Sequence, residues 1–239
     1  FARGAIAVKV WKDFGMEIRD RSGAFVMIDD PRLHGLFDFI ESSGKPLVAH
    51  IGEPRNCWLP LEEMTVNNDR RYFKRHPEYH MYLHPDYPGY DAQIASRDHL
   101  LEKHPGLTMI GAHLGSLEYD VSELAKRLDK YPRFCVDMSA RICHFQVQDR
   151  NKVRAFIEKY QDRLLYATDS VFTDEQTLWQ AARERLHDTW QQDWRYFSTD
   201  AEMTSANVNG SFRGLALSMP VLEKIYYTNA ARWLLQEPL

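Results

Sequence analysis

Short apolar runs in this chain each carry an ionisable residue at or just past their end: Lys9 and Lys12 on the first, then His50, His113, Asp137 and Asp169. Imidazoles and carboxylates gathered at one place suit a divalent metal, zinc first and manganese second, whose sites mix His nitrogen with Asp oxygen. Such an ion lowers the pKa of bound water toward ~7. A carboxylate could then orient that water and take its proton, and a second His could protonate a leaving group. Burying these groups without partners costs roughly 2–7 kcal/mol for even a neutral polar one. They must therefore pair with each other, bind a ligand or hold a metal. Each also has a structural alternative. Asp169 could cap a helix after Thr173, Asp137 could accept backbone N–H groups in its own loop, and Lys9 could reach solvent from a rim.

The runs that would position these residues span 5–11, 47–52, 108–115, 134–139 and 164–170. They alternate with segments of helical period, the signature of βα units and a parallel sheet. In such folds ligands meet the carboxyl ends of the strands, where the connecting loops are free to vary. Helix ends are readable. Asp30-Pro31 opens one helix and Ser42-Ser43-Gly44 stops it; Asp120 with Glu123 resembles a capping box. Residues 151–160 carry Val153, Phe156, Ile157 and Tyr160 on one face. A final helix after Pro220 would bury Leu222, Ile225, Tyr226 and Ala230.

Two stretches break the rhythm. Residues 53–90, rich in aromatics, His and Pro, read as a lid or substrate loop. There Glu53, Arg55 and Trp58 are candidates for substrate contact, Arg55 as a bidentate carboxylate partner; the alternative is a staple of salt bridge and packed Trp. His76, His80 and His84 recur every four residues, but Pro77 and Pro85 interrupt any helix, so lid packing is expected rather than a metal site. Arg141 could face an anionic substrate or pair with Asp137. The second stretch, 197–217, has turns at Gly210 and Gly214. No linker or repeat is present, so residues 1–239 read as one domain.

The local sequences say more than spacing does. Pro46-Leu-Val-Ala-His50-Ile-Gly-Glu53, Met109-Ile-Gly-Ala-His113-Leu-Gly-Ser116 and Leu164-Leu-Tyr-Ala-Thr-Asp169-Ser170, with the closing Ile225-Tyr-Tyr-Thr-Asn-Ala-Ala-Arg-Trp233, resemble the amidohydrolase-related branch of the amidohydrolase superfamily. That branch includes aminocarboxymuconate semialdehyde decarboxylase-like enzymes. The resemblance implies a (β/α)8 TIM barrel and a metal-dependent enzyme. It makes His50 the fifth-strand metal ligand. His113 becomes the sixth-strand histidine, a ligand in some members and an acid/base residue in others. Asp169 becomes the eighth-strand aspartate that binds metal and activates water. Lys9 lies where binuclear members carry a carboxylated lysine; that role is not transferred, because Lys12 competes for it, and Lys9 is kept as a substrate contact. The family's first-strand His-x-His occurs nowhere here. The expectation is therefore that strands four to eight are present and that roughly 90 residues precede them, at about 30 per unit.

Composition excludes other classes. A net charge of −4 argues against a nucleic-acid binder, and no apolar run is long enough for a membrane span. Cys57, Cys135 and Cys143 lack CxxC spacing. A soluble protein of cytoplasm or periplasm is expected; the compartment is not distinguished, and homo-oligomerisation stays open. The leading expectation is hydrolysis of a small amide, lactone or ester by metal-activated water. The alternatives are non-oxidative decarboxylation of a small carboxylic acid and, from another class, a ligand-binding open sheet of flavodoxin type.

Overall fold

A computed structural model describes residues 1–171 and 174–236. Strands β1 (Val8–Val10), β2 (Leu47–Ala49), β3 (Met109–Gly111), β4 (Phe134–Asp137) and β5 (Leu164–Leu165) form one parallel sheet in the order β1-β2-β3-β4-β5. Every anticipated run supplies a strand, each shorter than the run itself. Beyond Ala49 and Gly111 the backbone leaves the ladder to build the loops that hold His50 and His113. Register aligns Val10 with Ala49, Ala49 with Gly111, and Gly111 with Val136, so the chemistry-bearing ends share one rim.

Sequential order without a reversal is an arc of a (β/α)8 barrel, and it removes the doubly wound alternative, which needs a switch point where the order reverses. The arc does not close among the described residues: β1 and β5 are its two edges.

Helices cover the outside. Helix α1 (His34–Ser42) follows a 3-10 turn begun at Pro31, where the Asp30 side chain accepts from Arg32 N at 2.9 Å. Asp120 caps Val121–Lys130 through Ser122 N, and Asp149 caps Arg150–Lys159 through Lys152 N. These helices turn Phe37, Ile40, Leu124, Leu128, Val153 and Ile157 inward, each at most 1% exposed. Full burial of one such side chain contributes about 1.5–3 kcal/mol. The closing helix runs Met219–Glu223 and then loosens into π turns at Lys224–Thr228 and Ala231–Leu235. Leu222 and Ile225 are buried as expected. Tyr226 and Ala230 are only half-buried, Tyr226 packed against the main core and Ala230 against the cluster of Ile110, Cys135 and Leu165.

The first excursion holds helix α2 (Asn67–Arg75), several 3-10 turns and an apolar cluster of Cys57, Met64, Phe73 and Met81, which Met16 from the β1–α1 connection joins. The second contains an antiparallel pair that the turn signals alone did not reveal, β6 (Glu202–Thr204) with β7 (Ser211–Arg213). Its tip docks on α2. Asn67 N donates to Asn207 O at 2.7 Å, and Arg71 donates to Ala206 O and Asn207 Oδ1, both at 2.6 Å. The two excursions thus brace each other beside the rim. Helix α3 (Tyr90–Lys103) returns the chain to β3. No described helix is long and apolar enough to cross a membrane.

Gly111 is where the sheet is tightest. A Cβ there would lie 2.8 Å from two Phe134 ring carbons and 3.0 Å from Gly115 Cα. Gly111→Ala is expected to cost about 1–3 kcal/mol in urea unfolding. Gly35→Ala, in α1 with nothing within 4 Å, should instead stabilise by up to about 1 kcal/mol. Equal effects at the two positions would contradict this packing.

Candidate active site

The chain leaves β3 in a conformation that L-residues avoid. His113, Leu114, Gly115 and Ser116 all have positive φ, between 56 and 59°. His113, Leu114 and Ser116 have ψ from 26 to 47°. This is one turn of left-handed helix. Three of its residues carry a Cβ, at roughly 1–2 kcal/mol each. Hydrogen bonds hold it on every side. His113 N donates to Asp137 Oδ1 at 3.0 Å, and Asp137 also accepts from Ser139 N and Ser139 Oγ. Ser116 Oγ donates to Ile51 O at 2.9 Å. The Tyr90 hydroxyl and the Arg97 guanidinium donate to Ser116 O and Gly115 O. Asp137 is thus an acceptor of backbone N–H groups. Ala140 and Asp169, past β4 and β5, also sit at positive φ (54 and 61°). Strained backbone gathered at the rim is a mark of functional sites.

The turn delivers His113 to His50, with ring centroids 4.3 Å apart. His113 Nδ1 lies 2.8 Å from Ser139 O, so it carries the proton and leaves Nε2 as an acceptor. That Nε2 is 4.0 Å from Asp169 Oδ2. His50 Nε2 is buried and has no hydrogen-bond partner. Burial pushes both imidazoles below the usual histidine range; His113 beside His50, and Arg141 beside His113, add to it. A neutral imidazole with an orphaned nitrogen, next to one whose tautomer a backbone carbonyl fixes, is a donor set that fits a divalent cation. Asp169 is more loosely placed, with its side chain 59% exposed. The donor atoms of these three residues do not all come within 4.8 Å of one another.

A cavity of about 390 Å³ opens over these groups and is lined by His50, His113, Asp169, Lys9, Glu53 and Arg141. Trp11, Tyr72 and Phe73 give it aromatic walls. Its floor is a buried lattice of charge. Lys12 pairs with Glu53, and Arg141 Nη2 lies 3.9 Å from Glu53 Oε2. Burial pulls the Lys12 ammonium down, but Glu53 outweighs it and the group ends above its usual range. His144 Nε2 lies 3.0 Å from Asp69 Oδ2, and Asn56 donates to the same oxygen at 2.9 Å. Burial would raise Asp69, but His144 and Arg141 hold it down at about 2. Glu118, fully enclosed, is pushed up by burial and accepts from Arg55 N.

The structure therefore brings together His50, His113, Asp169, Lys9, Glu53 and Arg141. It does not bring in Arg55 or Trp58. The Arg55 guanidinium sits over Tyr119 at 4.5 Å, and Trp58 meets Tyr90 edge-on at 5.4 Å. The Trp thus packs as in the staple alternative, while Arg55 stacks on a ring and makes no salt bridge among the described residues. Arg141 is paired with Glu53, not with Asp137. His80 and His84 bond backbone carbonyls of the excursion, as packing residues do. Thr173 lies outside the described residues; the described helix Gln176–Ser198 takes Glu175, not Asp169, at its N-cap. Sequence reasoning missed Asp69, His144, Tyr72 and Phe73. The signal available was the spacing of Asp69 and Phe73 at i and i+4, one face of α2.

Beside this cavity lies a second, of about 240 Å³, lined by Cys143, Gln146, Thr168, Asp193 and Met203 among others. The Tyr166 hydroxyl donates to Asp193 Oδ2 at 2.9 Å. Burial still pushes Asp193 up to about 6.

Comparison with known proteins follows the same lines. The family model described as amidohydrolase matches residues 4–235. No curated protein matches. Among solved structures, 2,6-dihydroxybenzoate decarboxylase from Rhizobium is 17% identical, with a TM-score of 0.51, over 98% of this chain and 64% of that one. An uncharacterised TIM-barrel protein from Bordetella bronchiseptica is 17% identical, with a TM-score of 0.46, over 87% of this chain and 52% of that one. A dihydroxybenzoic acid decarboxylase from Polaromonas sp., solved with bound manganese and 2-nitroresorcinol, is 15% identical, with a TM-score of 0.45, over 91% of this chain and 58% of that one. The chain thus spans between 52% and 64% of these relatives' lengths. At such identities the likeness shows the fold.

Two outcomes test the geometry. Asp137→Ala removes the acceptor of three hydrogen bonds, and bonds to a charged group contribute ~1.5–3 kcal/mol each, with shared acceptors adding less than their sum. Urea unfolding should show a loss of roughly 3 kcal/mol or more, with Asp137→Asn losing less. A loss under about 1 kcal/mol would mean that the left-handed turn holds itself. For Asp193, the folded-state pKa lies above the ordinary 3.8. Its ionisation therefore costs stability as pH rises from about 4 through about 6. Asp193→Asn should be more stable than the parent by about 2 kcal/mol at pH 8, and that advantage should vanish by pH 4.

Proposed function

Because the chain belongs to the amidohydrolase family, a metal-dependent family, we propose that its rim is the metal and substrate site of an enzyme that decarboxylates a small aromatic carboxylate without oxidation. The observation that carries this reading is the cavity itself. Trp11, Tyr72 and Phe73 offer faces for an aromatic ring, and Lys9 and Arg75 offer positive charge for a carboxylate. The Rhizobium relative of the same fold is a 2,6-dihydroxybenzoate decarboxylase, which agrees with that chemistry.

His50, His113 and Asp169 are the residues that would hold the ion. When bound there, a divalent cation supplies the charge that orients an oxygen of the substrate and makes coordinated water more acidic. The chain's own residues then divide the remaining work. Ser139 O keeps the His113 proton on Nδ1, so Nε2 faces the pocket as an acceptor. Asp169, exposed at the rim, can exchange protons with solvent and pass one inward. In decarboxylation the bond between ring and carboxyl carbon breaks, its electron pair stays on the ring carbon, carbon dioxide leaves, and that carbon takes a proton. The floor charges are committed to one another, so Lys9 and Arg75 are the cations more available to the substrate.

Hydrolysis is the second reading, supported by the 4.0 Å approach of Asp169 to His113 Nε2. A water between them would be placed to lose a proton to the carboxylate.

The test starts with metal content of the protein beside His50→Ala and Asp169→Asn, each checked for folding by circular dichroism. Both variants should lose a bound equivalent of zinc or manganese. Carbon dioxide release from 2,6-dihydroxybenzoate should fall at least 100-fold in Asp169→Asn. Metal content unchanged in both folded variants would remove this assignment. Turnover of a lactone or amide with no carbon dioxide release from aromatic acids would select hydrolysis.

A further inference from the structure

The end of the sheet opposite the rim carries a cluster of side chains of the types that ligate metals. Helices α1 and α3 both run back from the carboxyl ends of the strands, so their last turns meet at that far end. There Asp38 and Glu41 of α1 face His104, which follows α3. His104 is 1% exposed. Its Nδ1 lies 3.2 Å from Asp38 Oδ1 and 3.4 Å from Glu41 Oε2. Despite those distances, neither ring nitrogen makes a hydrogen bond.

We propose that Asp38, Glu41 and His104 form a zinc-class divalent cation site, distinct from the rim and not part of its chemistry. Three observations carry this. Ligand atoms bound to zinc at 2.0–2.1 Å in a tetrahedron stand about 3.3–3.4 Å apart, and the two measured separations bracket that edge. Neither His104 ring nitrogen makes a hydrogen bond to either carboxylate, although Nδ1 lies within 3.4 Å of both. A buried Nδ1 without a partner also costs free energy that an ion lying between it and the carboxylate oxygens would recover.

The surroundings hold the ligands in place. Glu41 uses its other oxygen, Oε1, to accept from Gly106 N, which leaves Oε2 free for the ion. A Cβ at Gly106 would collide with that carboxylate, so this glycine lets it approach. Phe37 packs against the His104 ring at 5.9 Å, and His34, one turn before Asp38, meets it edge-on at 5.7 Å. Asp38 is exposed, with its side chain 69% accessible, so the site opens to water and its fourth position is solvent. Two carboxylates and one imidazole suit zinc or manganese better than a soft metal. The site would clamp the last turn of α1 to the α3–β3 connection, a structural role at the end of a barrel where stability rather than catalysis resides.

Zinc uptake is measured by equilibrium dialysis with zinc chloride alone, in a His50→Ala background that disables the rim. His50→Ala should retain one equivalent. Adding Asp38→Asn should weaken its affinity at least ten-fold, and Glu41→Gln, which keeps an oxygen for Gly106, should do the same. Zinc should raise the melting temperature of His50→Ala but not of His50→Ala with Asp38→Asn. Because Asp38 is exposed, its variant is expected to fold. No zinc uptake by folded His50→Ala, or uptake indifferent to both carboxylate substitutions, would overturn the site without touching the rim assignment.

Discussion

The left-handed turn from His113 to Ser116 is the constraint on which the rim depends. A right-handed continuation of β3 into a helix would carry His113 away from His50. The left-handed turn instead folds it back, so that the two rings meet 4.3 Å apart. Its conformational cost, roughly 3–6 kcal/mol for three residues with a Cβ, is comparable to the whole stability of a modest domain. It persists because donors and acceptors from β4, α3 and the loop after β2 all satisfy it at once. Asp137 is central: one carboxylate oxygen joins the His113 backbone to the Ser139 backbone. That places Ser139 O against His113 Nδ1. Backbone strain, imidazole tautomer and the orientation of Nε2 are therefore one linked arrangement.

Charge beneath the rim follows a related logic. Lys12, Glu53, Arg141, Asp69, His144 and Glu118 are all at most 7% exposed. Isolated, each would be prohibitive to bury as an ion; in alternation each has an opposite charge or a proton to fall back on. Such a floor adds little net stability. What it does is fix the positions of polar groups around the cavity, the kind of electrostatic preorganisation on which a catalytic site draws. Cys57 and Cys143, pushed up by burial, take no part as thiolates.

Much of the scaffold was legible because parallel strands buried on both faces read as apolar runs, and because Asp30 and Asp120 announce helices by capping them. The conjunction of His50, His113 and Asp169 was legible for a related reason: each interrupts or ends such a run. Other features were written in a language that local pattern does not carry. Ala-His-Leu-Gly-Ser contains a single glycine and reads as ordinary helix or strand; its left-handedness comes from Asp137, Tyr90 and Arg97, all distant in sequence. The β6–β7 pair offers three residues a side, too few for alternation to stand out. Asp69 in the first turn of α2 resembles a cap, and only packing against His144 reveals it as part of the floor. Arg55 and Trp58 lie outside the cavity lining, since following His50 in sequence does not place a side chain in its cavity. A 3-10 turn immediately after Pro54 aims both toward Tyr90 and Tyr119.

The two ends of the sheet also differ in how they treat polar groups. At the rim, His50 keeps a buried nitrogen without a partner among strained loops, where stability yields to the need for open ligand positions. At the far end the backbone is regular, and Glu41 serves Gly106 as a helix-to-strand brace. An unsatisfied imidazole is costly in either place. At the rim the unpartnered nitrogen faces the cavity shared with His113 and Asp169; at the far end it lies beside Asp38 and Glu41. His104 Nδ1 faces two carboxylates without a hydrogen bond to either. A cation shared with the adjacent carboxylates would satisfy it while leaving the brace intact.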